Sequence, residues 1–152
     1  MTKVLLSIHV LAAIIAIGPV AVAASMFPAA TRHAPAAPDR DPVVLRTLHR
    51  ICRVYAVAGI FVPVFGLATA SSLGVLGDTW LIVSIVLTAI AAAVLALLVL
   101  PRQNAVLTGL AARKEPDRKA PARLAMYTGM FNLLWAAVTV LMIVRPGSTT
   151  GA

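Results

Sequence analysis

Four long apolar segments alternate with polar connections along this chain of 152 residues. The clearest of them, WLIVSIVLTAIAAAVLALLVL at residues 80–100, holds no charged side chain. At about 1.5 Å of rise per residue, a helix of this length covers the roughly 30 Å hydrocarbon layer of a bilayer. Similar segments lie at about 4–27, 54–76 and 124–144. The pattern predicts an all-α integral membrane protein, a four-transmembrane-helix bundle forming one membrane domain over residues 1–152.

The first apolar segment resembles a secretory signal, because it follows Lys3 and contains the small-residue sequence Ala21-Val22-Ala23. Its apolar core is longer than the about 7 to 15 residues of a signal h-region. We therefore expect it to be retained as the first transmembrane helix. A bend is expected at Pro19, since proline removes one backbone donor from a helix.

Small residues recur every four positions on the second and third predicted helices. The very short Gly77-Asp78 turn between these helices predicts an antiparallel hairpin. Small side chains allow two helices to approach closely, so we expect the two stripes to face each other. The stripes are Gly66, Ala70 and Gly74 on the second helix and Ser84, Thr88, Ala92 and Ala96 on the third.

Composition supports the membrane assignment, and charge gives an orientation. The chain is 61% hydrophobic and carries a formal net charge of +8. Of its 13 Lys and Arg residues, all but Lys3 and Arg145 lie in the two long connections, at 28–53 and 101–123. Positive loops stay in the cytoplasm. We expect a multi-pass protein of the bacterial cell membrane with both termini outside and both basic loops cytoplasmic.

These basic residues predict contact with lipid rather than with nucleic acid, because they occupy the connections where they set topology. Each adds about 1 kcal/mol of attraction to an anionic membrane surface. The first connection is expected to form a short amphipathic turn at 43–53 as it enters the membrane. The predicted headgroup ligands are Arg46, Arg50, Arg53, Arg113, Lys114, Arg118 and Lys119.

His9 is the main candidate for cofactor chemistry, since the predicted helix cores hold no Asp, Glu, Lys or Arg. An imidazole near the outer face can bind haem or a metal. His33 and His49 fall at the opposite end of the predicted bundle, and Met142 lies at a depth compatible with His9. The alternative is a neutral His9 hydrogen-bonded across a helix interface. The sequence predicts no metal site and no cofactor, and haem bound by His9 is the alternative.

The fourth predicted helix carries a candidate packing surface. Asn132 in its middle can donate and accept hydrogen bonds, and an amide exposed to lipid would be left unpaired. Gly129 and Ala136 lie on roughly the same face. We expect this face to contact the first helix or another membrane protein subunit.

Three stretches suggest a family resemblance: SIHVLAAIIAIGP, LHRICRVYAVAG and FNLLWAAVTVLMIVRPG. Together they resemble a family of small bacterial four-helix membrane proteins of unknown function. More distantly they are similar to the protoporphyrinogen-oxidase and copper-resistance membrane families, in which a histidine of the first helix is a haem ligand; that role would map to His9. The outline also resembles accessory subunits of actinobacterial respiratory (cytochrome oxidase) complexes.

Two functions follow as expectations. The favoured one is a non-catalytic accessory subunit of a larger membrane complex, because the helix faces are rich in small residues and poor in reactive ones. A respiratory oxidase assembly is the candidate complex. The alternative is a haem- or metal-binding membrane oxidoreductase that uses His9. A small homo-oligomeric transporter is a third reading. The sequence has no Gly-rich phosphate loop, HExxH or CxxC motif.

Overall fold

The structure, a computed structural model, describes residues 2–33, 41–115 and 117–147. All regular structure in these ranges is helical, and four stretches are long and apolar enough to cross a membrane. The predicted all-α, four-span fold is confirmed. The spans are Thr2–Arg32, Pro42–Leu73, Thr79–Ala111 and Ala120–Val144.

Six α-helices and one π-helical segment make up these spans. The first span is α1 and the last is α6, whereas the second divides into α2 and α3 and the third into α4, the π-helical segment and α5. Their bounds are α1 Thr2–His33, α2 Asp41–Ala58, α3 Phe61–Leu73, α4 Thr79–Ala93, the π-helical segment Val94–Val99, α5 Leu100–Ala111 and α6 Ala120–Val144.

The predicted connection at 28–53 is largely helical in the structure. The α1 helix continues through Pro28 to His33, and α2 begins at Asp41. Proline at position 28 leaves the Ala24 carbonyl without its usual donor four residues on. The Thr128 hydroxyl of α6 lies 3.5 Å from that carbonyl oxygen, so a neighbouring helix compensates for the proline. Residues 34–40 of the predicted loop lie outside the described residues.

The predicted connection at 101–123 is also shorter than expected. A π-helical turn precedes Pro101, with the Leu100 N–H donating to the Leu95 carbonyl, and the helix continues to Ala111. Such turns let a helix absorb a local mismatch in its hydrogen-bond ladder. Pro121 lies in the first turn of α6, where a missing N–H has no cost. The non-helical part is 112–119, of which residue 116 lies outside the described residues.

Proline does interrupt the second span, between α2 and α3. Pro63 cannot donate to the carbonyl of Gly59 four residues earlier. The Val62 N–H donates to that carbonyl instead, over 3.1 Å, and the tighter bond forms a turn at residues 59–60. The second span begins at Pro42, well before the predicted position 54, and its α-helix is interrupted at residues 59–60.

The bundle has two halves that differ in packing. The basic half, where α1 ends and α2 begins and where the 112–119 connection lies, contains α2, α5 and the adjoining halves of α1 and α6. The turn half lies next to the 74–78 turn and contains α3, α4 and the other halves of α1 and α6. A main core joins α1, α2, α6 and the third span around buried Phe27, Leu45 and Phe131, while Ala70, Trp80 and Leu81 form a smaller cluster in the turn half.

The expected meeting of the two small-residue stripes is wrong. The α3 helix packs on α1 and α4 packs on α6; the second and third spans contact each other mainly through α2 and α5. The space at Gly66 is filled by the ring of His9 rather than by a helix, and Ala92 and Ala96 are exposed. A stripe of small residues permits close approach without choosing the partner.

Candidate functional site

His9 is held in a niche between α1 and α3 and is 8% exposed. Its Nδ1 lies 2.9 Å from the backbone carbonyl oxygen of Val62. Because a carbonyl only accepts, Nδ1 must carry the hydrogen that it donates. In the neutral ring Nε2 then keeps its lone pair. The imidazole is therefore hydrogen-bonded across a helix interface, as the alternative to cofactor binding predicted.

Gly66 makes room for this ring. A Cβ atom placed at position 66 would lie 2.9 Å from Cε1 of His9 and 3.2 Å from its Nδ1. The first distance is shorter than real Cβ contacts, so an alanine at position 66 would force the His9 ring or α3 to shift. Met142, the residue considered as a second ligand, packs against the Ala70, Trp80 and Leu81 cluster.

A second polar cluster lies in the basic half, and sequence reasoning missed it. His49 on α2 and Gln103 on α5 are both buried, with 3.0 Å between Nδ1 and Oε1. The Gln103 Nε2 donates to the Sγ of buried Cys52 over 3.6 Å. This bond fixes the amide so that Oε1 faces His49, and His49 must donate from Nδ1. The cluster links α2 to α5 through polar groups inside the bundle.

One sequence signal could have indicated this cluster. His49 lies on the face of α2 that also carries Leu45, Leu48 and Cys52, all of which are buried. A polar residue on an apolar helix face needs a hydrogen-bond partner in the membrane. Gln103 could not be identified as that partner, because the predicted third helix ended at Leu100.

A shallow, open groove of about 360 Å³ lies on the outside of α2, lined by His49, Arg50, Arg53, Val54 and Val57. Its polar end is formed by the imidazole and the two guanidinium groups. Its other end is formed by the two valines, which are 55% and 66% exposed. One face of α2 therefore changes along its length from charged side chains to exposed apolar ones.

The predicted headgroup ligands are all exposed around the basic half. Arg46, Arg50 and Arg53 project from α2, and the others lie on the 112–119 connection, namely Arg113, Lys114, Arg118 and Lys119. Arg102, by contrast, packs over the ring of Tyr127, with 4.4 Å from the guanidinium carbon to the ring centroid. The exposed residues form a basic surface at one end of the bundle.

Asn132 faces α1, in agreement with the expectation that it would meet another helix. Its Nδ2 donates to the Ser25 hydroxyl over 3.1 Å, and that hydroxyl donates to the Ala21 carbonyl. Among the described residues, Asn132 Oδ1 and Trp135 Nε1 are the buried side-chain polar atoms without a partner.

Gly129 and Ala136, the other two candidates on α6, lie toward the outside of the bundle. No atom comes within 4 Å of a Cβ placed on Gly129, and Ala136 is exposed. Leu133 and Val140 share this side and are 73% and 58% exposed. We call Gly129, Leu133, Ala136 and Val140 the outer face of α6. Asn132 lies at its edge.

The fold defines a multi-pass integral membrane protein with four helical spans. A family model described as "Predicted integral membrane protein (DUF2269)" matches residues 3–146. The chain belongs to this family, which confirms the membrane family that the sequence suggested. Neither the curated proteins nor the solved structures contain a match. In the described ranges, no group of three or more His, Cys, Asp or Glu side chains is placed to hold a metal ion.

Proposed function

We propose that this chain is a non-catalytic subunit that docks on a larger membrane protein through the outer face of α6. The carrying observation is the open space at Gly129 beside exposed Ala136. In lipid there is little hydrophobic drive between helices, so association depends on close van der Waals packing and interhelical hydrogen bonds. A helix from a partner can approach closely where side chains are small.

The edge of this face supports the same proposal. The Asn132 amide already donates to Ser25 on α1, which holds α6 in a fixed rotation against α1. Leu133 and Val140 alternate with the two small residues along this face. A partner helix would contact Gly129 and Ala136 with these larger side chains beside it. The resemblance to accessory subunits makes a respiratory oxidase complex the first partner to test, in a cell membrane with both basic connections in the cytoplasm.

Co-purification tests this proposal. Membranes are solubilised in mild detergent, and the complex is resolved on a native gel and identified by mass spectrometry. The expected result is a defined larger complex. If the wild-type chain runs alone, or only as a small homo-oligomer, the proposal is wrong and a homo-oligomeric function takes its place.

Matched variants locate the docking face. Gly129→Leu should block close approach and lose the partner, while Gly18→Leu, at an exposed glycine of α1 with equally open space, should keep it. Asn132→Leu removes the bond to Ser25 and should weaken docking while preserving insertion. Co-purification of both α6 variants with every partner at the wild-type ratio would rule out α6 as the docking face.

A second candidate function rests on the geometry of His9. An Nδ1–H bonded to a backbone carbonyl leaves Nε2 as the ring nitrogen available to a ligand, an arrangement typical of metal-binding histidines. If the chain binds haem or a metal, His9 would supply that ligand. An absorption spectrum of the purified chain tests this. A Soret band that is lost in His9→Ala and kept in His49→Gln supports it; a colourless, metal-free preparation removes it.

A further inference from the structure

The groove on α2 combines charge, a fixed imidazole and an apolar wall on one helix face. Arg50 and Arg53 are exposed at its polar end. Guanidinium groups bind phosphate oxygens with two parallel hydrogen bonds, and two of them one helical turn apart can hold one phosphate together. The groove therefore has the chemistry of an anion site next to an exposed apolar surface.

His49 forms the inner side of this polar end. It is 9% exposed, and its Nδ1 is committed to Gln103. Because Gln103 is itself oriented by Cys52, the ring is held in one orientation. Its Nε2 is then the nitrogen left to interact with a ligand in the groove. The buried imidazole beside Arg50 and Arg53 distinguishes the groove from the 112–119 connection, whose basic residues are all exposed.

The apolar end favours a particular source of phosphate. Val54 and Val57 continue the same face toward the middle of the span, and both are exposed beside the guanidinium groups. A soluble phosphate would make no use of them. A phospholipid has the matching order of groups, with an acidic headgroup followed by an acyl chain.

We propose that the α2 groove is a specific site for one anionic phospholipid. Arg50 and Arg53 bind the headgroup phosphate, His49 closes the inner side, and an acyl chain lies along Val54 and Val57. This site is independent of docking through α6. It also differs from general attraction of the basic loops to the membrane, because it depends on two particular arginines.

Native mass spectrometry of the full chain tests the proposal. The chain is purified in a neutral detergent and titrated with phosphatidylglycerol, with phosphatidylcholine as the neutral comparison. The expected result is one tightly held phosphatidylglycerol per chain and no comparable retention of phosphatidylcholine. Equal retention of the two lipids would overturn the proposal. Displacement of phosphatidylglycerol by excess inorganic phosphate would identify a soluble-phosphate site and overturn it as well.

Charge-matched variants locate the site. Arg50→Gln combined with Arg53→Gln should weaken phosphatidylglycerol binding by roughly 25-fold, at about fivefold for each charge near the surface. The control pair Arg113→Gln and Arg118→Gln removes the same amount of charge from the 112–119 connection. It should bind phosphatidylglycerol like the wild type. Equal losses in both pairs would show that only net charge matters.

Folding must be checked for each variant by its helical circular dichroism and its elution from a sizing column. Should the double variant fail to fold, each single substitution still gives a result. Either one alone should weaken binding about fivefold. Wild-type binding in both folded single variants would overturn the proposal.

Discussion

The two halves of the bundle hold their buried histidines in different ways. In the basic half, His49 bonds to a side chain, Gln103, inside the main core. In the turn half, His9 bonds to a backbone carbonyl and packs on a glycine. A side-chain partner is present only if the sequence has that residue at that position, whereas a backbone carbonyl is present whatever the residue. The position of His49 therefore depends on the identity of another side chain, whereas the position of His9 depends mainly on the space that Gly66 leaves beside a backbone carbonyl.

The largest expected effect comes from removing a buried aromatic ring of the main core. Phe131 is 1% exposed and makes an edge contact with Trp135, with 6.3 Å between ring centroids. Phe131→Ala should destabilise the bundle by about 3 kcal/mol because it leaves a cavity. Phe61→Ala, at a ring that is 60% exposed on α3, should have little effect. Unfolding in mixed micelles, followed by circular dichroism, measures both, and equal losses would show that burial of Phe131 in the main core does not set the cost.

A smaller effect is expected from breaking the polar cluster. Gln103→Leu keeps the side chain's size but leaves the Nδ1–H of His49 unpaired, at a cost of about 1 to 3 kcal/mol. Asn104→Leu, on the exposed side of the same helix, is the matched control and should be nearly neutral. The same unfolding measurement applies. A Gln103→Leu protein as stable as the wild type would show that His49 finds another partner.

The smallest effect should come from filling the niche of His9. Gly66→Ala places a Cβ against the ring, so the ring or α3 must shift, at a cost of about 1 kcal/mol. Gly109→Ala, where a Cβ meets no atom within 4 Å, controls for the loss of a glycine. Nitrogen chemical shifts of the His9 ring report whether the bond to Val62 survives. An unchanged ring signal in Gly66→Ala would mean that the niche tolerates a methyl group.

Hydropathy was enough to predict four spans, because an uncharged helix of that length has no other stable environment. It could not predict their ends. Pro28 and Pro101 read as helix breakers, yet neighbouring groups compensate for each: the Thr128 hydroxyl in one case and the π-helical turn in the other. The sequence also does not show which helices pack against each other. The His9 ring that fills the space at Gly66 could not be identified from it.

Some of the candidate site residues could likewise be predicted from the sequence and others could not. Asn132 was expected to meet another helix because a lone amide in lipid must find a partner, and Ser25 is that partner. Neither His49 nor Cys52 alone indicates a buried polar cluster. Their link through Gln103 joins residues 54 and 51 positions apart, which requires knowing that α2 and α5 pack together.

The π-helical segment at 94–99 changes the angular phase of the third span. A π turn accommodates one more residue than an α turn, so the side chains after it are rotated about the helix axis relative to those before it. Residues of α4 accordingly face α6, and residues of α5 face α2. A helical-wheel diagram drawn through the whole span would therefore assign it one continuous lipid-facing side. The span instead has two such sides, one on α4 and one on α5, and the change between them falls at the π turn.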